Sequence, residues 1–387
     1  MPPAGGCVVA RHAQPPFTSQ IRNCSENEMR TSRRARWARW VWAPVIGCLT
    51  ALCGAAPAAP QPFVNPIDQP AQSSALASRS TVLALATAGK RLIAAGVRGH
   101  IMWSDDAGQS WQQARVPVSV DLVGLSFPTP LLGWAVGHDG VVLHTADGGK
   151  TWQRQLAGLD ATRAAVKAYE AAAPKNPQLL SGLRAQLTEP RGEPFLDVHF
   201  WNERSGFVIG TFGSIFRTDD GGRTWTPWMD RLDNPGALNL FAIRGRGDRI
   251  FVVGEQGKVW RFDPNGQRFL SFSTPYAGTL FGVHVADQGR LLVFGMRGSM
   301  LRSADDGATW SPVTTPTSAG LTAATDTADG RIVVGDQAGN LLVSRDGGAT
   351  FARMPTQPPA PIFAVTSTGS RDIVLGGPIG LLAQPLP

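Results

Sequence analysis

Short apolar runs separated by glycine-rich turns recur along most of the chain. Three such runs lie at residues 81–85, 91–95 and 101–103, in the first repeat unit of the chain. A later unit has the same arrangement about 199 residues further on, at 280–285, 291–294 and 300–301. They are rich in β-branched and large apolar residues and are bounded by turn-forming residues. The pattern predicts many short strands joined by tight turns.

A pair of glycines, usually Gly-x-x-Gly, marks one turn in every unit. Its second member falls at Gly99, Gly140, Gly213, Gly257, Gly298, Gly339 and Gly380. Successive members are 41, 73, 44, 41, 41 and 41 residues apart, and the step of 73 is one period of 41 plus an insertion of 32. This period is typical of one four-stranded blade of a β-propeller. We therefore predict an all-β, seven-bladed β-propeller over residues 80–387.

A second motif, Ser/Thr-x-Asp-x-Gly-x-Ser/Thr plus an aromatic residue, begins five residues after the glycine pair. Its Asp and aromatic residues in five units are Asp106 and Trp111, Asp147 and Trp152, Asp220 and Trp225, Asp305 and Trp310, and Asp346 and Phe351. We expect the carboxylate to accept backbone N–H groups in a hairpin turn and the aromatic ring to pack into the blade. The motif therefore predicts a structural turn, which is degenerate in unit four because Pro264 replaces the Asp.

The seventh unit has apolar runs at 363–367, 372–375 and 380–384 but lacks a fourth. A ring with an unpaired edge is a liability. We predict that residues from about Pro62 to Ala77, in an N-terminal segment spanning 60–79, supply the missing outer strand and close the ring.

Residues 157–190 interrupt the β pattern and predict a helical insertion after the second blade. Asp160 is a candidate cap for a helix over 161–173, and Pro177 can begin a second helix. Leu179, Leu183 and Leu187 then share one apolar face.

In a propeller, the turns between second and third strands lie on the same face as the connections between blades. The glycine-pair turns and the helical insertion should therefore lie together, opposite the Asp motifs. Loops on a rigid scaffold usually carry function, so we predict that this face binds a partner. The candidate contact residues are Arg98, His138, Asp139, Phe212, Glu255, Arg297 and Asp336.

Candidate catalytic groups are sparse. Sialidases also use this Asp motif, but they need a Tyr nucleophile with a Glu, an acid/base Asp and three Arg. The chain has two Tyr, Tyr169 in the insertion and Tyr276 without a Glu near it in sequence. His199 and His284 share one strand position and do not predict a metal site. We expect no catalytic residues, metal or cofactor; an exported sialidase-like glycosidase or glycan-binding propeller stays open as the alternative function.

The net charge of +7 comes mainly from residues 1–59. Residues 1–59 contain seven Arg against Glu26 and Glu28, together with all four cysteines of the chain. The remainder is nearly neutral, so its charge does not predict binding to nucleic acid.

A basic cluster from Arg30 to Arg39, an apolar stretch and a small-residue run ending at Ala59 have the order of a secretory signal peptide. We predict a signal peptide over 29–59, residues 1–28 as a gene-model extension, and a periplasmic or secreted mature protein. A lipid anchor at Cys48 stays open, because residues 45–48 match a lipobox. No later segment is apolar over 18 residues, so we expect no transmembrane segment after signal removal.

Two runs, LLGWAVGHDG at 131–140 and RSGFVIGTFG at 204–213, each continue into the Asp motif, known as the Asp-box or bacterial neuraminidase repeat. They resemble the photosystem II stability/assembly factor family, over about residues 80–387. The resemblance implies a non-enzymatic lumenal chaperone that holds a nascent reaction-centre subunit, or a periplasmic accessory protein in bacteria that do not photosynthesise. We expect a monomeric scaffold that binds a protein client, a membrane protein or its exported loops. The insertion and the degenerate unit four depart from the family pattern.

Overall fold

The structure, a computed structural model, describes residues 63–172, 177–189, 191–286, 290–369 and 371–386. Their strands form seven antiparallel sheets in chain order. The first strands of consecutive sheets contact one another in a closed circle, and the last sheet contacts the first. The predicted seven-bladed propeller is confirmed. The predicted extension (1–28) and signal peptide (29–59) lie outside the described residues.

The strands follow one another blade by blade. Blades 1 to 4 contain β1 (Val82–Ala88), β2 (Arg91–Gly96), β3 (Ile101–Ser104), β4 (Gln112–Gln113), β5 (Leu122–Ser126), β6 (Gly133–Gly137), β7 (Val142–Thr145), β8 (Gln153–Leu156), β9 (Phe195–Phe200), β10 (Gly206–Gly210), β11 (Ile215–Thr218), β12 (Thr226–Pro227), β13 (Leu240–Arg246), β14 (Arg249–Gly254), β15 (Lys258–Asp263) and β16 (Arg268–Ser273). Blades 5 to 7 contain β17 (Leu280–Val285), β18 (Leu291–Gly295), β19 (Met300–Ser303), β20 (Ser311–Pro312), β21 (Leu321–Asp326), β22 (Ile332–Asp336), β23 (Asn340–Ser344), β24 (Ala352–Pro355), β25 (Ala364–Ser367), β26 (Asp372–Gly377) and β27 (Gly380–Pro385).

Burial changes from the inside of each blade to its outside. The second strands β6, β10, β18 and β22 are buried along their whole length, because neighbouring blades cover both faces of the sheet. The first strands line the central channel, and the short fourth strands are largely exposed. The continuous apolar runs of the second strands follow from this double burial.

The hydrophobic core is divided into seven clusters, one at each contact between neighbouring blades. The cluster between blades 7 and 1 contains Val82, Ala94 and Met102 from blade 1 and the partly buried Leu381 from blade 7. Ala77, from the N-terminal segment, completes it and is 2% exposed. The ring therefore closes by side-chain packing.

In each Asp-box the aspartate ties the two sides of the turn together. In blade 2 the Asp147 carboxylate accepts the Thr151 N–H at 2.9 Å and the hydroxyls of Thr145 and Thr151 at 2.8 and 2.6 Å. The Thr145 oxygen in turn accepts the Gly149 N–H at 3.0 Å. Equivalent bonds surround Asp106, Asp220, Asp305 and Asp346.

The aromatic residue of each Asp-box packs at the contact with the preceding blade. Trp152 of blade 2 lies in the cluster shared with blade 1, where its ring meets Phe127 edge-on at 5.9 Å. Trp111, Trp225, Trp310 and Phe351 lie likewise in the clusters shared with blades 7, 2, 4 and 5. The Asp-box therefore contributes to the contact between blades as well as to its own turn.

Blade 4 replaces the Asp-box with a plain hairpin. β15 and β16 pair over six positions, and the Asp263 carboxylate accepts the Asn265 N–H at 3.1 Å. Phe269 keeps the aromatic position and is 1% exposed. The longer ladder takes the place of the missing aspartate.

The insertion forms two helices, α1 (Asp160–Ala171) and α2 (Pro177–Gln186). Leu180 and Leu183 are buried with the first turns of α1 in the cluster between blades 2 and 3. The predicted capping role of Asp160 is wrong. Leu159 occupies the cap position without a side-chain bond, and the Asp160 carboxylate pairs instead with Arg163 at 2.9 Å, within the first helical turn.

The prediction that the N-terminal segment supplies a ring-closing strand is also wrong for its described residues, 63–79. The seventh sheet has three strands, and the N-terminal segment forms two short 3-10 helices, Pro66–Asp68 and Ala77–Arg79. Pro66 and Pro70 lack the N–H that a strand ladder needs. The segment runs instead across blades 1 and 2, where the Pro66 carbonyl accepts the Ser119 N–H at 2.8 Å.

Replacing Asp220 with alanine should lower the free energy of unfolding by about 1.5–3 kcal/mol, the usual contribution of hydrogen bonds to a charged acceptor. Asp219→Ala is the matched control, because that carboxylate is 57% exposed and its partner Arg217, which is 16% exposed, keeps a hydrogen bond to Gln267. It should lose about 0–1 kcal/mol. Urea unfolding of both variants measures the difference, and equal losses would contradict the role of the Asp-box.

The propeller should lose stability as the pH falls from about 4 to about 2. Hydrogen bonds from Ser110 and Thr309 lower the pKa values of Asp106 and Asp305 from the ordinary 3.8 to about 2. Because these pKa values are lower in the folded chain, the stabilisation is complete above about pH 4 and is lost as the pH falls through about 2. Melting temperatures from about pH 7 to about pH 2 measure the loss. The double variant D106N/D305N should depend less on pH, and an identical profile would refute the assignment.

Candidate functional site

The glycine-pair turns hold a non-glycine residue in the left-handed backbone region in five blades. These residues have φ between 52° and 57° and are Arg98, Asp139, Phe212, Gln256 and Arg297. Each is followed by the second glycine of the pair, also at positive φ. In blade 1 the first glycine, Gly96, is equally constrained, because a Cβ there would lie 2.1 Å from the Thr81 carbonyl oxygen. The glycines persist for these backbone reasons, while the residue between them varies.

Backbone bonds fix these turns against the connections between blades. The Val97 N–H donates to the Thr81 carbonyl at 3.2 Å, just before the first strand of the same blade. The Arg98 N–H donates to the Asp121 carboxylate of the next blade at 2.9 Å. Blade 3 repeats this second bond, where the Phe212 N–H donates to the Asn239 side-chain oxygen at 2.8 Å. Sequence reasoning missed Asp121 and Asn239; their signal is a polar residue directly before a first strand.

The candidate contact residues differ in accessibility. Arg98, His138, Phe212 and Arg297 are exposed, and Asp139 and Glu255 are half-buried. The Glu255 carboxylate accepts the Asn239 N–H at 2.9 Å, so it also supports its own turn.

The prediction that Asp336 contacts a partner is wrong. It is 0% exposed and accepts the N–H groups of Ala338 and Asn340 and the Thr317 hydroxyl at 2.7–2.9 Å. The extra residue between the glycines of blade 6 turns this carboxylate inward, where it holds the longer loop together.

Exposed apolar side chains lie at the tips of three glycine-pair turns. Phe212, Met296 and Ile379 are 56%, 41% and 48% exposed. Met296 and Ile379 are not among the contact residues predicted from the sequence. An apolar residue at the tip of a solvated turn nevertheless indicates a contact surface. Exposed apolar residues framed by charged ones are typical of a surface that binds protein.

The helical insertion lies beside the glycine-pair turn of blade 2. The Gly158 N–H, before α1, donates to the Asp139 carbonyl at 2.6 Å. A Cβ at Gly140 would lie 3.2 Å from the carbonyl of Glu193, after the insertion. Both ends of the insertion therefore border this turn, and α1 packs against β12, the outer strand of blade 3.

The first strands enclose a channel cavity of 430 Å³ that Asp197 and Arg244 line, and a second group of charged residues lies at the ends of these strands. Asp197 pairs with Arg244, and Asp326 lies 3.1 Å from Arg246 and 3.0 Å from His284. Burial raises the pKa of Asp197, although Arg244 opposes this shift.

His199 and the two tyrosines considered for metal binding or catalysis each have a defined environment. Burial and the nearby Arg244 lower the pKa of His199 to about 3, so its imidazole is neutral at physiological pH. The Tyr169 hydroxyl donates to the Asp230 carboxylate at 3.0 Å, and the Tyr276 hydroxyl donates to the Met296 carbonyl at 3.3 Å. Across the part of the chain that the structure describes, no three His, Cys, Asp or Glu residues are grouped to hold a metal ion.

Comparison with known proteins gives one matching family. The family described as "Photosynthesis system II assembly factor YCF48" matches residues 103–170 and 185–310 of this chain. A Photosystem II assembly protein Ycf48 from Synechococcus sp. (strain JA-2-3B'a(2-13)) is 27% identical over 177 residues, 39% of this chain and 52% of that protein. A Photosystem II assembly lipoprotein Ycf48 from Synechococcus sp. (strain CC9902) is 24% identical over 216 residues, 51% of this chain and 54% of that protein. The chain spans about half the length of these curated relatives.

A solved structure described as "YCF48 bound to D1 peptide" has the same fold. It superposes with a TM-score of 0.59 at 19% sequence identity, covering 84% of this chain and 98% of that one. At this identity the likeness establishes the architecture alone.

Replacing Arg297 with asparagine should raise the free energy of unfolding by about 1 kcal/mol, because most side chains are strained in the left-handed region and Asn is tolerated there. Asp139→Asn is the control, since Asp already tolerates this conformation, and should change stability by less than about 0.5 kcal/mol. Urea unfolding compares the two variants. A loss of stability in Arg297→Asn would refute the presence of strain at this turn.

Proposed function

The chain belongs to the photosynthesis system II assembly factor YCF48 family, and we propose that it is an exported, non-enzymatic propeller that binds a membrane-protein client as an assembly or stability factor. One observation carries this proposal. The glycine-pair turns hold varied, mostly exposed side chains in a strained backbone conformation on one face. Strain that the scaffold maintains at successive equivalent positions is typical of functional surfaces.

We assign client contact to the exposed side chains of this face. Phe212, with Met296 and Ile379, supplies apolar area. Arg98, Arg297 and His138 supply polar and charged contacts between these anchors. Asp139 and Glu255 border the surface and position its turns. The helical insertion, adjacent to the blade 2 turn, extends the face on one side and acts as a specificity element.

The relatives support a polypeptide client. Two of them carry the name of photosystem II assembly proteins, and the structural relative was solved with a D1 peptide bound. We propose that this chain likewise binds a segment of a membrane protein exposed on the exported side of the membrane.

The pairing of the charged side chains and the bonds of the two tyrosines favour a scaffold over the sialidase-like or glycan-binding alternative. In the channel, Asp197 is paired with Arg244, and at the ends of β13 and β21 Arg246 is paired with Asp326, so these arginines already have carboxylate partners. The hydroxyls of Tyr169 and Tyr276 bond to Asp230 and to a backbone carbonyl, away from the nucleophile-and-base pair that a sialidase requires.

We propose export through the signal peptide at 29–59, with a lipid anchor at Cys48 as the alternative. Two relatives named lipoproteins support an exported location. None of the helices in the described residues is long and apolar enough to cross a membrane.

The double variant Phe212→Ser/Met296→Ser should recover at least tenfold less of the client membrane protein in affinity capture from envelope extracts. Removing two apolar anchors from the centre of a contact surface typically weakens binding by more than 1 kcal/mol each. Leu131→Ser is the control, because Leu131 is 60% exposed but lies beside the Asp-box of blade 2, on the opposite face.

Equal recovery by both variants would refute the assignment of the face. Capture of no protein by the parent chain, together with hydrolysis of sialylated glycans, would favour the glycosidase instead.

A further inference from the structure

Among the residues that the structure describes, the outermost strand of the seventh blade is its third, β27. The other six sheets each have a fourth strand outside the third. Three of those fourth strands, β4, β12 and β20, are only two residues long. A short extended segment is therefore enough to complete a blade of this propeller.

The hydrogen-bond register of β27 leaves a row of backbone groups facing outward. The Leu386 N–H donates to the carbonyl of Arg371, just before β26. In an antiparallel pair, hydrogen-bonded residues alternate with residues whose N–H and C=O groups point away, so this bond shows which residues of β27 face β26. Leu382 and Gln384 then direct their N–H and C=O groups toward β26, and Leu381 and Ala383 direct theirs away. Among the described residues, no partner meets these outward groups.

Side-chain burial shows the same gap. In the other six blades, the two third-strand residues at the corresponding positions are at most 5% exposed, as are Ile101 and Met102 in blade 1. Their counterparts in blade 7, Leu381 and Leu382, are half-buried. Leu76, just before the 3-10 helix that contacts β27, is 60% exposed. An apolar strip therefore accompanies the unpaired edge.

The described N-terminal segment does not fill this edge. It touches β27 through Ala77–Arg79 and continues away from it, to the Pro66 and Ile67 carbonyls that accept the Ser119 N–H and the Arg154 guanidinium. With the predicted signal peptide removed after Ala59, only residues 60–62 precede this part. Fully extended, these three residues span at most about 10 Å.

We propose that β27 accepts an extended segment of the client polypeptide as a fourth strand of the seventh blade. This inference rests on the proposed function, since it takes the occupant from the client. The segment donates and accepts backbone hydrogen bonds opposite Leu381 and Ala383, so it lacks proline at its pairing positions. Leu381 and Leu382 face opposite sides of the sheet, so apolar residues at two successive positions of the segment cover them, one on each side. Pro385, which has no N–H, ends the pairing.

The test uses a random peptide library displayed on phage and selected against the mature chain. Selected peptides should carry apolar residues at two successive positions and avoid proline at the pairing positions. Ala383→Pro, which removes an outward N–H that β26 does not use, should weaken their binding at least tenfold. Ala383→Val keeps the N–H and should change binding less than twofold. Proline fits an outward position of this strand, as Pro385 shows.

A second measurement leaves the protein unchanged. N-methylation of alternate amides on one edge of a selected peptide should abolish binding, and methylation of the other edge should not. On binding, the amide hydrogens of Leu381 and Ala383 should exchange at least tenfold more slowly by NMR.

Three outcomes would overturn the proposal: no enriched peptide, equal binding to Ala383→Pro, or a dimer that Ala383→Pro dissociates, which would make a second copy the occupant. The peptide test needs no client, so it is separable from the proposed function. Phe212→Ser/Met296→Ser should leave peptide binding unchanged. If that variant captures as much client as the parent chain while Ala383→Pro still loses the peptide, the face assignment fails and the strand site stands.

Discussion

Each blade of this propeller can bury its two faces only against its neighbours, and the rest of the structure depends on that constraint. The core consists of seven separate clusters, and every cluster is shared by two blades. A single blade would expose its apolar second strand on both sides. Stability therefore requires a closed ring. In this chain the closing contact is made by side chains of blades 7 and 1 with Ala77 between them, and no strand is exchanged among the described residues.

The same constraint separates the two faces of the molecule. On one face, the Asp-boxes of five blades repeat almost unchanged, because each fixes a turn and also places an aromatic ring at the contact with the preceding blade. Variation there would disturb two blades together. On the other face, the glycines keep the turn geometry, and the residue between them is free to change. Arg98, Asp139 and Phe212 occupy one backbone conformation with three different side chains. Side chains can thus differ at these turns without altering the scaffold.

Much of the fold could be predicted from sequence because a repeat supplies its own internal comparison. The period of 41 residues and the glycine pairs set the number of blades, and strand β17 has the bounds that the pattern indicates. The helical insertion was equally visible as a break in alternation. The candidate face followed from connectivity, since the direction of each strand decides which turns share a side. Phe212 and Arg297 could be selected on that basis alone.

What the sequence by itself determined was the repeating part: the blades, the Asp-boxes and the face on which the variable turns lie. Only the tertiary structure decided the exceptions. Asp336 resembles a turn tip in sequence but is buried, because one extra residue redirects its loop. The N-terminal segment forms 3-10 turns across blades 1 and 2, and among the described residues no strand pairs with the outer side of the third strand of blade 7. These features depend on contacts between residues far apart in the chain, and no local or periodic pattern encodes such contacts.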